Sequence, residues 1–187
     1  LKARVSSAED YYSALDLRVT YSQLQDANLK RATQLLNKTN QMNLATRRMS
    51  EKELSEWHNN EENTIFTFEV TDRFGSYGLT GLAGVSSRGN NAEVTDFVVS
   101  CRVIGRGVEQ AMLSVLIEHA ASLGKKELEA EFHPTEKNDP CRRFFRDISK
   151  FEQVIASGQE SYNWDLSGNY ESPAYFTVEK GQEHAAG

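Results

Sequence analysis

The chain is predicted to adopt an α/β (α+β) fold: a mixed, mostly antiparallel sheet flanked by helices. Three observations predict it. Residues 64–72 alternate with Ile65, Phe66, Phe68 and Val70. They are followed by the turn Arg73-Phe74-Gly75 and a second strand-like run, the pattern of a hairpin. Residues 94–113, VTDFVVSCRVIGRGVEQAML, switch from β-branched and aromatic residues to apolar residues at three- and four-residue steps. The switch falls across a turn containing Gly105 and Gly107. Finally, 187 residues at 39% hydrophobic and 26% charged suit one domain able to bury a real core.

The elements follow in order. Residues 7–15 read as a short helix, with Ser7 and Asp10 as a capping pair. Residues 17–21 alternate as a strand. Residues 26–36 carry Leu29, Ala32, Leu35 and Leu36 at helical spacing. A polar, amide-rich run over 37–48 follows, then a short helix ending near Trp57, opened by the capping box Ser50 and Glu53. The strand over 64–72 pairs with its hairpin partner over 79–86, where Gly81 and Gly84 suggest a bulge or a close backbone approach. The strand, turn and helix from Val94 onward end at Gly124 as a C-cap. Residues 127–132 form a strand, and 139–149 a helix with Pro140 in its first turn. Residues 151–155 and 175–178 are late strands, separated by an aromatic-polar loop containing Tyr162, Trp164 and Tyr170.

Composition excludes several classes. A formal net charge of −6 argues against non-specific nucleic-acid binding. No apolar run approaches the roughly 20 residues of a membrane helix, and no signal peptide is visible. Cys101 and Cys141 lack metal-type spacing, so no metal is expected. They read as free thiols in a reducing, cytoplasmic compartment. The chain opens on Leu1, which suggests a piece of a longer protein. Residues 1–180 are read as one domain and 181–187 as a frayed tail.

The turn after Val94 carries the chemistry. The first N–H groups of a helix lack internal partners and sit at the positive end of its dipole, so a strand–glycine turn–helix unit is an anion site. The three-glycine dinucleotide fingerprint and the phosphate-binding Gly-Lys-Ser/Thr signature are both missing. What stands there is Arg102-Val103-Ile104-Gly105-Arg106-Gly107. It resembles the pyrophosphate loop of the GNAT acyltransferases (GCN5-related N-acetyltransferases), and the order of elements matches their architecture. That resemblance implies that the loop's amides bind the pyrophosphate of coenzyme A. It further implies a sheet splayed between the strands at 94–101 and 127–132, admitting the pantetheine arm.

Four segments resemble a narrower group, the C-terminal domain of FkbH-like proteins: 38–48 (KTNQMNLATRR), 72–75 (DRFG), 100–109 (SCRVIGRGVE) and 134–138 (PTEKN). The resemblance spans most of residues 10–155. It implies an N-terminal HAD-type phosphatase domain outside this sequence. Asp16-Leu17-Arg18-Val19-Thr20 lacks that domain's second aspartate and is not its signature. It also implies transfer of a glyceryl group from 1,3-bisphosphoglycerate, through an enzyme thioester, to the phosphopantetheine thiol of an acyl carrier protein in methoxymalonyl-type polyketide precursor synthesis.

Cys101 is the candidate nucleophile. It adjoins Arg102 and a helix N-terminus, both of which lower a thiol pKa, and a thiolate both attacks and leaves readily. Asp96 is a candidate for substrate hydroxyls or for action through water, although strand alternation turns it away from Cys101. His133 is a candidate base. Val99, Arg102, Val103, Ile104, Gly105, Arg106, Gly107 and Asn138 are the expected contacts of phosphopantetheine or coenzyme A, Asn138 also being able to cap the next helix. Asn40, Gln41, Asn43, Thr46, Arg47 and Arg73 are the expected substrate contacts, since amides and arginine suit hydroxyls and phosphate oxygens. Arg142, Arg143 and Arg146, with Arg102 and Arg106, form a candidate dock for an acidic carrier protein. Phe145 stands where many GNAT enzymes place a proton-donating tyrosine, which counts against plain acetyl transfer. Three readings result: the glyceryl transferase, a non-catalytic carrier-docking module, and an acetyl-CoA-dependent N-acetyltransferase.

Overall fold

A computed structural model describes residues 8–182. One eight-stranded sheet runs β6-β7-β5-β4-β3-β2-β1-β8. Its strands are β1 (Leu17–Gln23), β2 (Asn63–Asp72), β3 (Gly75–Arg88), β4 (Asn91–Val99), β5 (Glu127–Phe132), β6 (Glu152–Ala156), β7 (Gln159–Asp165) and β8 (Phe176–Lys180). Only β4/β5 and β1/β8 are parallel. The helices are α1 (Ala8–Ala14), α2 (Asp26–Lys38), α3 (Glu51–His58), α4 (Val108–Ser122) and α5 (Asp139–Asp147).

Each face of the sheet carries its own core. On one, Leu35 and Leu36 of α2 and Leu54 of α3 pack on Ile65, Leu79, Leu82 and Val98. On the other, Val108, Ala111, Met112 and Val115 of α4 and Phe144 and Phe145 of α5 pack on Phe68, Phe97 and Val99. A fully buried side chain of this size contributes roughly 1.5–3 kcal/mol, so the two apolar layers dominate stability. The periodicity that predicts α3 is matched by its cap: the Ser50 hydroxyl accepts from the Glu53 N–H, and Glu53 reaches back to Ser50. Gly84 sits at a register shift between β3 and β4. A Cβ there would lie 2.6 Å from Thr95 Oγ1 and 2.9 Å from Asp96 Oδ2, so glycine makes room for a buried carboxylate.

The structure corrects one element and refines two others. Residues expected as an aromatic-polar loop include β7, which inserts between β5 and β6. The late strand β8 lies at the far edge, parallel to β1. Gly181, expected at the start of a frayed tail, donates its N–H to the Tyr21 carbonyl at 2.7 Å. Ser7 and residues 183–187 lie outside the described residues. Among the described residues, no helix is long and apolar enough to cross a membrane.

The region that matters for function is the gap between β4 and β5. The two strands pair only from Asn91–Glu93 to Glu127–Glu129 and then separate. The chain fills the opening with its own residues 42–44. The Val99 N–H donates to the Met42 carbonyl (3.0 Å), and the Leu44 N–H to the Phe97 carbonyl (3.1 Å). On the other side, the His133 N–H donates to the Leu44 carbonyl (3.1 Å). Met42, Asn43 and Leu44 are all buried.

Candidate active site

Cys101 lies just past the end of β4, exposed, in the turn that leads to α4. It opens into a cavity of about 720 Å³ on the face that carries α2. Helical spacing puts Arg31, Gln34 and Lys38 on the side of α2 that lines this cavity. Asn40 and Gln41 add amides from the following loop, and Lys137 closes the far side. Three cations and no carboxylate line the cavity, in a chain whose net charge is −6. Among the described residues, none of the three cations has a side-chain ion pair. Asn40 is held from behind: Arg48 Nη2 donates to its Oδ1 (2.7 Å), while Arg48 Nη1 reaches the Leu36 and Thr39 carbonyls at the end of α2. The arrangement suits an anion placed beside a thiol.

Asn43, Thr46 and Arg47, expected as substrate contacts, do not line this cavity and instead brace the loop behind it. Asn43 is fully buried. Its Oδ1 accepts from the Thr46 N–H (2.8 Å) and its Nδ2 donates to the Thr39 carbonyl (3.0 Å). Thr46 takes a left-handed φ of 55°. Arg47 donates through Nε to Asp96 Oδ1 (3.0 Å) and through Nη2 to Oδ2, and its guanidinium lies over the Trp57 ring at 4.8 Å. Asp96 is fully buried; Arg47 donates to each of its oxygens, and the Thr95 hydroxyl also donates to Oδ2 (3.2 Å). Asp96 and Arg47 therefore anchor the loop to β4 beside the cavity.

Asn138 has the same character. Its Nδ2 donates to the Asn43 carbonyl (3.0 Å) and the His133 carbonyl (2.8 Å), and its Oδ1 accepts from the Thr135 N–H (2.7 Å). Fully buried, it joins residues 42–44 to the end of β5 and the start of α5. The His133 side chain is exposed, with Nε2 3.6 Å from Glu131, and it is not among the lining residues. Arg73 lies at the β2–β3 turn, where Nη1 donates to the Ala14 carbonyl at 3.3 Å.

The turn after Cys101 is latched from within. Gly105 and Gly107 take φ of +78° and +85°. The buried carboxylate of Glu109 accepts from the Gly105 N–H at 2.7 Å. Burial pushes the pKa of Glu109 up, against the N–H groups of Gly105, Glu109 itself and Gly107. A Cβ at Gly107 would meet the Tyr175 hydroxyl at 2.6 Å, so that glycine admits a tyrosine ring. Tyr12 donates to the Gly105 carbonyl (2.8 Å) and stacks on Tyr175. Arg106 Nη1 donates to the Tyr77 hydroxyl at 2.8 Å and lies 3.5 Å from buried Asp72. Burial raises the Asp72 pKa, but the Tyr77 hydroxyl, the Phe74 and Gly75 N–H groups and the Arg106 charge outweigh it, leaving it below the ordinary carboxylate value. Val103 is core, and Arg102 bends back toward the Ser100 hydroxyl (3.4 Å). Ile104 lines the Cys101 cavity and also a second cavity of about 490 Å³ on the α5 face.

The basic cluster of α5 is largely neutralised. Arg142 pairs with Glu160, Arg143 with Asp139 and Arg146 with Asp147. Phe145 is fully buried against Phe97, Phe144, Phe151 and Tyr162. Cys141 is buried, and burial raises its thiol pKa.

Of the residues lining this cavity, Asn40, Gln41, Val99, Cys101 and Ile104 are named as site residues by the sequence reading, whereas Arg31, Gln34, Lys38 and Lys137 are not. The available signal was the Arg31, Gln34, Lys38 spacing leading straight into the amide run. Among the described residues, no cluster of His, Cys, Asp and Glu could hold a metal ion.

Comparison with solved structures identifies the fold. A domain from Methanocaldococcus jannaschii superposes with a TM-score of 0.60 at 15% identity, over 80% of this chain and 99% of that one. The spermidine N-acetyltransferase of Vibrio cholerae, solved with coenzyme A and spermine, gives 0.57 at 15% identity over 80% and 96%. The ribosomal-protein-S18-alanine N-acetyltransferase of Escherichia coli gives 0.55 at 16% identity over 78% and 90%. No family model and no curated protein matches the sequence. The fold implies coenzyme A, but the residues present do not fit it in the expected place. The free edge of β4 is bonded to residues 42–44, and the Gly105 amide to Glu109. The chain thus has the GNAT fold, and in it the β4 edge at the β4–β5 gap and the Gly105 amide are both bonded to the chain's own atoms.

Proposed function

We propose that this domain is an acyltransferase that carries a three-carbon glyceryl group as a thioester on Cys101 and passes it to the phosphopantetheine thiol of an acyl carrier protein. The observation that carries the reading is the exposed Cys101 thiol in a cavity lined by Arg31, Lys38 and Lys137 and by no carboxylate. An acyl phosphate such as 1,3-bisphosphoglycerate bears two phosphate groups and a hydroxyl, which those cations and the Asn40 and Gln41 amides suit. The Cys101 thiolate attacks the acyl carbon. The carbon–oxygen bond to phosphate breaks, and inorganic phosphate leaves with the electron pair. The remaining phosphate ester is hydrolysed by a HAD-type phosphatase domain of the parent chain. The carrier thiolate then attacks the thioester, and Cys101 leaves as thiolate.

Support also comes from the resemblance of 38–48, 72–75, 100–109 and 134–138 to FkbH-like proteins. A second reading, acetyl transfer from coenzyme A to an amine, is favoured by the names of the fold neighbours. The buried phenyl ring of Phe145 and the filled β4 edge weigh against it.

The test is the intact mass of the protein and of Cys101→Ser after incubation with 1,3-bisphosphoglycerate, with and without the phosphatase domain. A phosphoglyceryl- or glyceryl-sized adduct, labile to hydroxylamine and missing from the variant, is expected. No adduct in any combination rejects the reading.

A further inference from the structure

Two cavities meet at Ile104, one on each side of the sheet, and their chemistry is opposite. The Cys101 cavity has Arg31, Lys38 and Lys137 and no acid. The α5-side cavity contains the carboxylates of Glu109 and Asp147, and its one cation, Arg143, is paired with Asp139 at 3.0 Å. Met42 lines the α5-side cavity while Thr39, Asn40 and Gln41 line the other, so the chain passes between the two as it enters the sheet.

That passage is a strand in all but length. Residues 42–44 bond to β4 through Val99 and Phe97, and to the end of β5 through His133. Asn138 ties the Asn43 carbonyl from the side. A thioester arm seeking the exposed edge of β4 would find its N–H and C=O groups already paired. A pyrophosphate seeking the turn would find Glu109 Oε1 2.7 Å from the Gly105 nitrogen and the Tyr175 ring against Gly107. Glu109 already accepts the Gly105 N–H that a phosphate oxygen would need.

We propose that this chain has closed the coenzyme A route of its fold with residues 42–44 and Glu109, so that both acyl donor and acceptor reach Cys101 from the α2 face alone. The inference stands on these contacts and not on which acyl group Cys101 carries. It also assigns Arg31, Lys38 and Lys137 as the anion-binding side chains of that approach.

The test is amide hydrogen exchange and thermal melting of the chain with acetyl-CoA at millimolar concentration. The expected result is unchanged slow exchange at Leu44, Val99, Gly105 and His133, with any rise in melting temperature lost in Lys137→Ala. Altered exchange at those amides, or a rise that Lys137→Ala keeps, overturns the proposal. Glu109→Ala supplies the converse. Inorganic pyrophosphate should raise the melting temperature of this variant more than that of the native chain, because the Gly105 amide is then released in addition to the α2-side cations. A cooperatively folded Glu109→Ala that responds to pyrophosphate no more than the native chain shows that Glu109 was not occupying an anion site. Glu109→Gln, which keeps an acceptor oxygen on Gly105, should respond as the native chain does.

Discussion

The two sides of the Cys101–Gly107 turn use the same kinds of residue to opposite ends. On the α2 side, cationic and amide groups stand around a cavity without carboxylates to neutralise them. On the α4 side, the comparable groups are spent: the Gly105 amide on Glu109, Arg106 on Tyr77 and Asp72, Arg142 on Glu160. Polar groups satisfied inside a fold contribute stability, whereas groups left open can recognise a ligand. The difference separates a site from a scaffold more sharply than residue type does.

Cys101→Ser is the largest break available: the adduct and any transfer should fall to background while the melting temperature barely moves, since the thiol is exposed. Arg47→Met should do the reverse. It strands the Asp96 carboxylate, and uncovering one partner of a buried pair costs about 3–5 kcal/mol. The Arg47 side chain is 31% exposed, so the lower end is expected by urea denaturation. Asn138→Ala removes one acceptor and two donors from a buried junction. At about 1–3 kcal/mol per group left unsatisfied, a loss near 3 kcal/mol is expected in the same assay. Lys137→Ala and Arg31→Ala should lower the rate of adduct formation roughly tenfold, about 1.4 kcal/mol, with stability unchanged. Arg143→Ala, on the opposite face, should leave that rate alone; a comparable loss there would erase the distinction between the two sides.

The smallest effect concerns acid. Asp72 has a folded pKa below its unfolded value, so its contribution is fully present above the ordinary aspartate value of about 3.9. That contribution is lost as pH falls through the lowered pKa. Asp72→Asn should therefore flatten the acid limb of the stability curve, read as urea midpoint against pH, and leave neutral activity untouched.

Much of this architecture was written in local patterns. The Ser50–Glu53 box, Pro140 in the first turn of α5 and Gly124 past α4 mark helix ends by backbone chemistry that needs no tertiary partner. Strand β7 was legible but passed over. Glu160, Tyr162 and Trp164 alternate with Ser161 and Asn163, and Ser157 and Gly158, at φ of 52° and 76°, form the tight two-residue turn that starts it. Residues 42–44 were not legible as a strand. Three residues give no period, and their pairing is imposed by Val98, far along the chain. For the same reason Asn43, Thr46 and Arg47 read as ligand contacts: amides and arginine look alike whether they face a substrate or a buried aspartate.

Residues 42–44 also bear on how the molecule opens. A sheet whose halves part after three residue pairs could breathe about that seam. Here the seam is stitched by bonds between segments distant in sequence, from 42–44 to β4 and to the end of β5. The two half-sheets should then behave as one cooperative unit in native-state exchange, with no lower-energy opening that separates them. Residues 42–44 are in that sense a rivet, and loosening it at Asn138 should let the halves exchange independently.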